Sequence, residues 1–320
     1  MKRSLSVALL LCALSTATAA GQYQATATGG DRAPGGTFVT SAWLASHLSD
    51  PNLVLLYVGT DSAYKAEHIP GAQFARSRDF AAPFDTAAMA MMHDPARRAL
   101  PHALTLELPA TARLDSALAA IGVTSKSTVV ITYEDWFTPS ARILLTLEYA
   151  GLKGHVFLLD RGTSVWKSEG HPVTTVVPTA RRGDYRSTPH SDVVVDAAFV
   201  AAHLKSKGVT VVDARDPEFY NGTTQSEMNP RGGHIAGARS IPYAALADST
   251  NRLYSDAELR KIFAAAGVQP GDTVVSYCHI GQQGSLVYAV ARELGFNARL
   301  YDGSFEDWSI RSDLPVEGGK

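Results

Sequence analysis

Cys278 is the residue best placed to do chemistry in this sequence. It closes the apolar run 273–277 and opens a polar loop of His279, Ile280, Gly281, Gln282 and Gln283, after which residues 286–294 carry a helical pattern. A thiol at such a strand–loop–helix junction faces helix N-terminal amides, which favour a thiolate and hold an anionic sulfur intermediate. A lone cysteine is by default a small buried hydrophobe, so the surroundings must decide. A Cys-dependent phosphatase would close this loop with an Arg. Positions five to seven after Cys278 are Gln283, Gly284 and Ser285, so the phosphate clamp is absent. His279 is adjacent to Cys278 and reads as a rim residue rather than a general base. No set of Cys and His has metal-ligand spacing, and no nucleotide-type Gly-rich loop is present.

Asp213-Ala214-Arg215 follows a second strand-like run, 209–212. The C-terminal ends of parallel strands converge on one crevice, so Asp213, Arg215 and Cys278 are expected on a shared rim. Arg215 would hold an anionic substrate and Asp213 would set its orientation; a local ion pair is the plainer alternative. Arg231 is a second candidate cation.

The elements that must position these residues occur twice. Val195 to Leu204 matches Val39 to Leu48 without a gap, and the 156-residue offset continues to Tyr64 and Tyr220. His234-Ile235-Ala236-Gly237-Ala238 repeats His68-Ile69-Pro70-Gly71-Ala72 after about ten extra residues in 221–233. Thr128-Val129-Val130 matches Thr273-Val274-Val275, and Asp160 and Trp166 match Asp302 and Trp308. Each copy alternates short apolar strands with helical patterns, which is α/β with a mainly parallel sheet. In the second copy Ser255-Asp256-Ala257-Glu258 is a capping box opening a helix through Ala266, ended by Gly267.

Comparing the copies separates scaffold from chemistry. The first has Tyr57 at Asp213, Gly59 at Arg215, and Tyr133 or Glu134 at Cys278. His68 and His234 are in both and read as turn residues; Trp166 and Trp308 read as core or interface.

The N-terminus reads as a secretory signal over 1–20: Lys2 and Arg3, an apolar stretch 5–14 too short to span a membrane, and the small residues Ala17-Thr18-Ala19. Residues 21–36 read as a disordered leader, 37–171 as a domain without nucleophile, 172–192 as a linker, and 193–320 as the catalytic domain. The stretch 81–109 reads as a loop with little regular structure covering part of the first domain. Losing Cys12 with the signal leaves Cys278 the only cysteine, so no intramolecular disulfide can form in a compartment that would permit one. With Lys2 and Arg3 also gone, 29 basic residues fall by two against 31 acidic ones, a net charge near −4. That balance points away from nucleic acid and anionic membrane as partners. No cofactor is called for.

On Val211-Val212-Asp213-Ala214-Arg215, Gly233-His234-Ile235-Ala236-Gly237-Ala238, Val274-Val275-Ser276-Tyr277-Cys278 and Tyr301-Asp302-Gly303-Ser304-Phe305-Glu306-Asp307-Trp308, the chain resembles the tandem-domain rhodaneses over residues 38–320. The resemblance implies two tandem rhodanese-like domains, each a mainly parallel sheet with helices on both faces. It implies a silent first domain, an active loop 278–283, and a thiosulfate or 3-mercaptopyruvate sulfurtransferase. Sulfane sulfur would pass through a Cys278 persulfide to cyanide or a thiol, with His279, Ile280, Gly281, Gln282, Gln283, Arg215, Asp213 and Arg231 around the substrate. Thiosulfate is the favoured donor, and a monomer the expected state. The cation often found in the family's loop is missing unless His279 supplies it. The alternatives from the residues are a sulfane-sulfur carrier that does not turn over, and a scaffold sensing anions or oxidants through Cys278.

Overall fold

The computed structural model describes residues 36–319 apart from 84, 95, 135, 136 and 180. The expected signal, and the leader up to residue 35, lie outside the described residues. In chain order the first half comprises β1 (Phe38–Val39), α1 (Ser41–His47), β2 (Leu53–Val58), α2 (Asp61–Ala66), β3 (Gln73–Ala75), α3 (Thr86–Met92), α4 (Thr111–Ala120), β4 (Thr128–Tyr133), α5 (Thr138–Leu147), β5 (Val156–Leu159) and α6 (Gly162–Ser168). The second half comprises β6 (Val194–Val195), α7 (Ala197–His203), β7 (Val209–Asp213), α8 (Pro217–Tyr220), β8 (His234–Ile235), β9 (Arg239–Ser240), α9 (Asp256–Ala265), β10 (Thr273–Tyr277), α10 (Gln282–Glu293), β11 (Asn297–Tyr301), α11 (Ser304–Ile310) and β12 (Val316–Glu317).

The halves form two parallel five-stranded sheets of the same topology, β1-β5-β4-β2-β3 and β6-β11-β10-β7-β9. The expected α/β architecture in two copies is borne out. Register also decides which residue stands opposite the nucleophile in the silent copy. Tyr57 pairs with Thr132 as Asp213 pairs with Tyr277, so Tyr133 occupies the place of Cys278.

The core follows the duplication. One face of each sheet packs with α5 and α10 into a single continuous apolar cluster crossing the two halves. The opposite faces each carry a smaller cluster, built around Trp166 in one half and Trp308 in the other. Both indoles are fully buried. Trp166 Nε1 donates to Pro172 O at 2.8 Å, and Trp308 Nε1 to Pro315 O at 2.9 Å. His68 and His234 each place Nδ1 2.7 Å from a tyrosine carbonyl, Tyr64 or Tyr220, and stack on that tyrosine's ring. These partners fit the turn role expected for both histidines.

The stretch 81–109 has little regular structure, as expected, with α3 its one helix among the described residues. The Asp85 side chain accepts from the amides of Ala87 and Ala88 and so caps that helix. The segment also reaches the second half. Thr105 donates its amide and hydroxyl to Glu306 at 2.9 and 3.0 Å, and Leu108 N donates to Asp302 Oδ2 at 3.0 Å. Local pattern could not reveal contacts with partners some two hundred residues away.

Candidate active site

β7 and β10 are adjacent strands, and their C-terminal ends bring Asp213, Arg215 and Cys278 together as expected. Cys278 is buried and unbridged. Its amide donates to Ser304 Oγ at 3.2 Å, while its carbonyl accepts from Phe305 N and the His279 carbonyl accepts from Glu306 N, both at 3.0 Å. The start of α11 therefore ties down the loop's carbonyls. Gly281, with φ of +83°, caps α10, and its carbonyl accepts from the Ser285 amide and hydroxyl. Only a residue tolerant of the left-handed region turns the chain here without strain. In consequence the amides of residues 279–284 donate to no acceptor among the described residues. Six successive free N–H groups beside a thiol form an anion cradle.

Gly284 brings the helix close to its strand. A Cβ there would come 2.9 Å from Leu300 Cδ1 and 3.1 Å from the Tyr277 carbonyl carbon. Ser276 Oγ, donating to Gly284 O at 2.9 Å, holds the same approach.

Arg215 and Asp213 are 2% and 0% exposed. Arg215 donates to Asp213 through Nε at 3.0 and 3.1 Å and through Nη2 at 2.6 Å; Nη2 also donates to Gly233 O at 2.7 Å. Tyr277 Oη donates to Asp213 Oδ2 at 2.6 Å, and the guanidinium carbon lies 4.1 Å from the Phe305 ring centre. Burial pulls the Arg215 pKa down, but the Asp213 charge and its hydrogen bonds outweigh it, leaving the pKa raised. Asp213 thus orients Arg215, and the local ion pair is present too. Only Nη1 has no hydrogen-bond partner among the described residues.

The remaining candidates separate. Arg231 is spent elsewhere: its guanidinium donates to the carbonyls of Ser309, Leu314, Trp308 and Arg311 at 2.6–3.0 Å. It fastens the end of α11 rather than a substrate, because these acceptors take four of its five N–H donors. His279 does not supply the missing cation. Burial, then the Arg215 charge, push its pKa down to about 4, so the ring is neutral at pH 7. Asn229, 1% exposed, presents Oδ1 to His279 Nδ1 at 3.2 Å. An amide oxygen only accepts, so the ring proton sits on Nδ1 and Nε2 is an acceptor. Gln282 Nε2 reaches Thr138 Oγ1 of the first half at 3.4 Å, and Gln283 Oε1 is buried without a partner. Ile280 lies half-buried on the loop.

Sequence reasoning missed Asn229, Ser304 and Arg142. Asn229 and Arg231 both lie in the segment that lengthens the second copy. That insertion was the available signal; it builds one wall of the site.

A model of the Rhodanese-like domain matches residues 40–169 and again 196–311. The chain belongs to the rhodanese family. It is 30% identical over 292 residues to a probable 3-mercaptopyruvate sulfurtransferase of Pseudomonas aeruginosa, covering 88% of this chain and 98% of the relative. It is 29% identical over 297 residues to a putative thiosulfate sulfurtransferase of Haloferax volcanii, covering 88% and 96%. The crystal structure of SseA from Escherichia coli, described as a 3-mercaptopyruvate sulfotransferase, superposes with a TM-score of 0.69 at 22% identity, over 84% of this chain and 98% of that one. Of the two rhodanese domains, the second carries the thiol and the first a tyrosine in its place.

Proposed function

We propose that this rhodanese-family sulfurtransferase takes sulfane sulfur from thiosulfate, with 3-mercaptopyruvate as a second donor, and passes it to cyanide or a small thiol. The observation that carries this reading is the run of six free amides, 279–284, directly after a buried, unbridged cysteine. The Cys278 thiolate attacks the outer sulfur of thiosulfate. The donor's S–S bond breaks and sulfite leaves with the electron pair. The amides hold the resulting persulfide, and Arg215 Nη1 takes the donor's anionic end. The acceptor then attacks the outer sulfur, and the pair of the Cys278 S–S bond returns to Cys278.

Initial rates at varied donor and cyanide concentrations test the scheme. Parallel double-reciprocal lines with thiosulfate, and a higher kcat/KM for it than for mercaptopyruvate, are expected. The reverse preference would reassign the donor. A persulfide without turnover would make the chain a sulfur carrier, the reading favoured by a loop lacking a cation.

We further propose that the protein acts outside the cytoplasm, on the support of Lys2, Arg3, the apolar stretch 5–14 and Ala17-Thr18-Ala19, and that it does so as a monomer. Intact-mass analysis of exported protein, run with size-exclusion chromatography, checks both points. A cytoplasmic chain with its first twenty residues intact would contradict the first.

A further inference from the structure

The thiol, its loop and Arg215 all belong to the second half, but the loop is completed by the first. Arg142 lies in α5 and is 2% exposed. Its Nη1 donates to Asp302 Oδ1 at 2.6 Å and its Nη2 to Leu106 O, while Nε is buried without a partner. Gly281 lies directly against this guanidinium: a Cβ on Gly281 would come 2.9 Å from Nη1 and 3.2 Å from Asp302 O. Thr138, one turn earlier on α5, accepts from Gln282 Nε2 at 3.4 Å. Two consecutive loop residues therefore rest on one turn of a helix from the domain that has no nucleophile. Stability alone is a poor reason for a buried charge here, since a well-packed apolar residue of similar volume commonly serves as well or better.

We propose that Arg142 is a positioning residue for the active loop. It holds Gly281 in its left-handed conformation, so that the free amides of 279–284 converge on the Cys278 sulfur. This rests on the reading of that loop as the site of sulfur chemistry. The silent domain then has a function beyond support: it finishes the cradle that the second domain opens. Asp302 is the intermediary, since it takes Arg142 on one carboxylate oxygen and Leu108 N on the other.

The test compares wild type with Arg142→Met, Arg142→Lys and Asp302→Asn. Two readouts are taken: the pH dependence of Cys278 alkylation by iodoacetamide, and steady-state sulfur transfer. In Arg142→Met the alkylation midpoint is expected to move up by about one pH unit as the amides lose their aim. kcat should fall between about tenfold and about a hundredfold, as for other small misplacements of a reacting group. Arg142→Lys should recover most of both effects, and Asp302→Asn should move both in the same direction as Arg142→Met. An unchanged alkylation profile with only a lower melting temperature would overturn the proposal and leave Arg142 an interface brace. If Arg142→Met does not fold, an unchanged profile in Asp302→Asn overturns it equally. Alkylation needs no sulfur donor, so absence of turnover with either donor would refute the proposed reaction without touching this result.

Discussion

His279 follows the nucleophile directly and carries no charge at neutral pH. Its ring is held by Asn229, lies edge-on to Phe219 at 4.7 Å, and feels the Arg215 charge. A divalent donor therefore meets backbone amides and one guanidinium corner rather than a loop cation. His279→Arg should restore the cation and lower KM for thiosulfate by about tenfold, the worth of one charge-assisted contact. Mercaptopyruvate, with a single charge, should gain less. Equal gains for both donors would show that the substitution acts on the loop generally. At this scale the sequence told which residues stand near the thiol, since Asp213, Arg215 and Cys278 each follow a recognisable strand. It could not tell which are free to act. Arg215 is committed to Asp213 and Gly233, and Arg231 to four carbonyls, and all of those partners but Asp213 are backbone atoms with no signature in a sequence.

The strand–loop–helix of β10 and α10 is the element that makes a thiol into a site. Its geometry depends on Gly284, whose missing side chain lets the helix sit against Tyr277 and Leu300. Gly284→Ala should push α10 away from β10 and destabilise the protein by about 1–3 kcal/mol, the usual cost of overpacking. Denaturant unfolding measures that loss, and sulfur transfer should fall more steeply than stability, because the free amides move with the helix. The strands 53–58 and 273–277 were legible to the residue, being apolar runs bounded by turn residues. The capping box Ser255–Glu258 opens α9 as read. α3 was not legible: seven residues with one side-chain cap, between prolines, give too short a period to stand out. The alternative between Tyr133 and Glu134 needed the sheet register.

Across the whole molecule, two copies of one fold face each other through α5 and α10 and share a core. Tyr288 Oη donates to Glu148 Oε2 at 2.5 Å within that interface, and Arg292 pairs with the same carboxylate. The duplication was readable because offsets of whole blocks are preserved. The interface was not, because each copy supplies only half of every contact. Glu107 illustrates the consequence. Burial, then the Asp302 charge, raise its pKa to about 8. A carboxyl with a folded pKa above its unfolded one leaves stability undiminished below about pH 4.5 and erodes it as pH rises towards 8. Glu107→Gln should therefore melt higher than wild type at pH 8 and equally at pH 5. A variant less stable at pH 8 would mean that the ionised carboxylate is the form the interface holds.

That Cys278 carries the transferred sulfur is checked by intact mass spectrometry of the protein after exposure to thiosulfate, without acceptor. A gain of one sulfur atom per chain is expected, removed by cyanide and absent in Cys278→Ser. A chain that gains no sulfur from thiosulfate or from mercaptopyruvate, or a Cys278→Ser variant that still gains it, would contradict it.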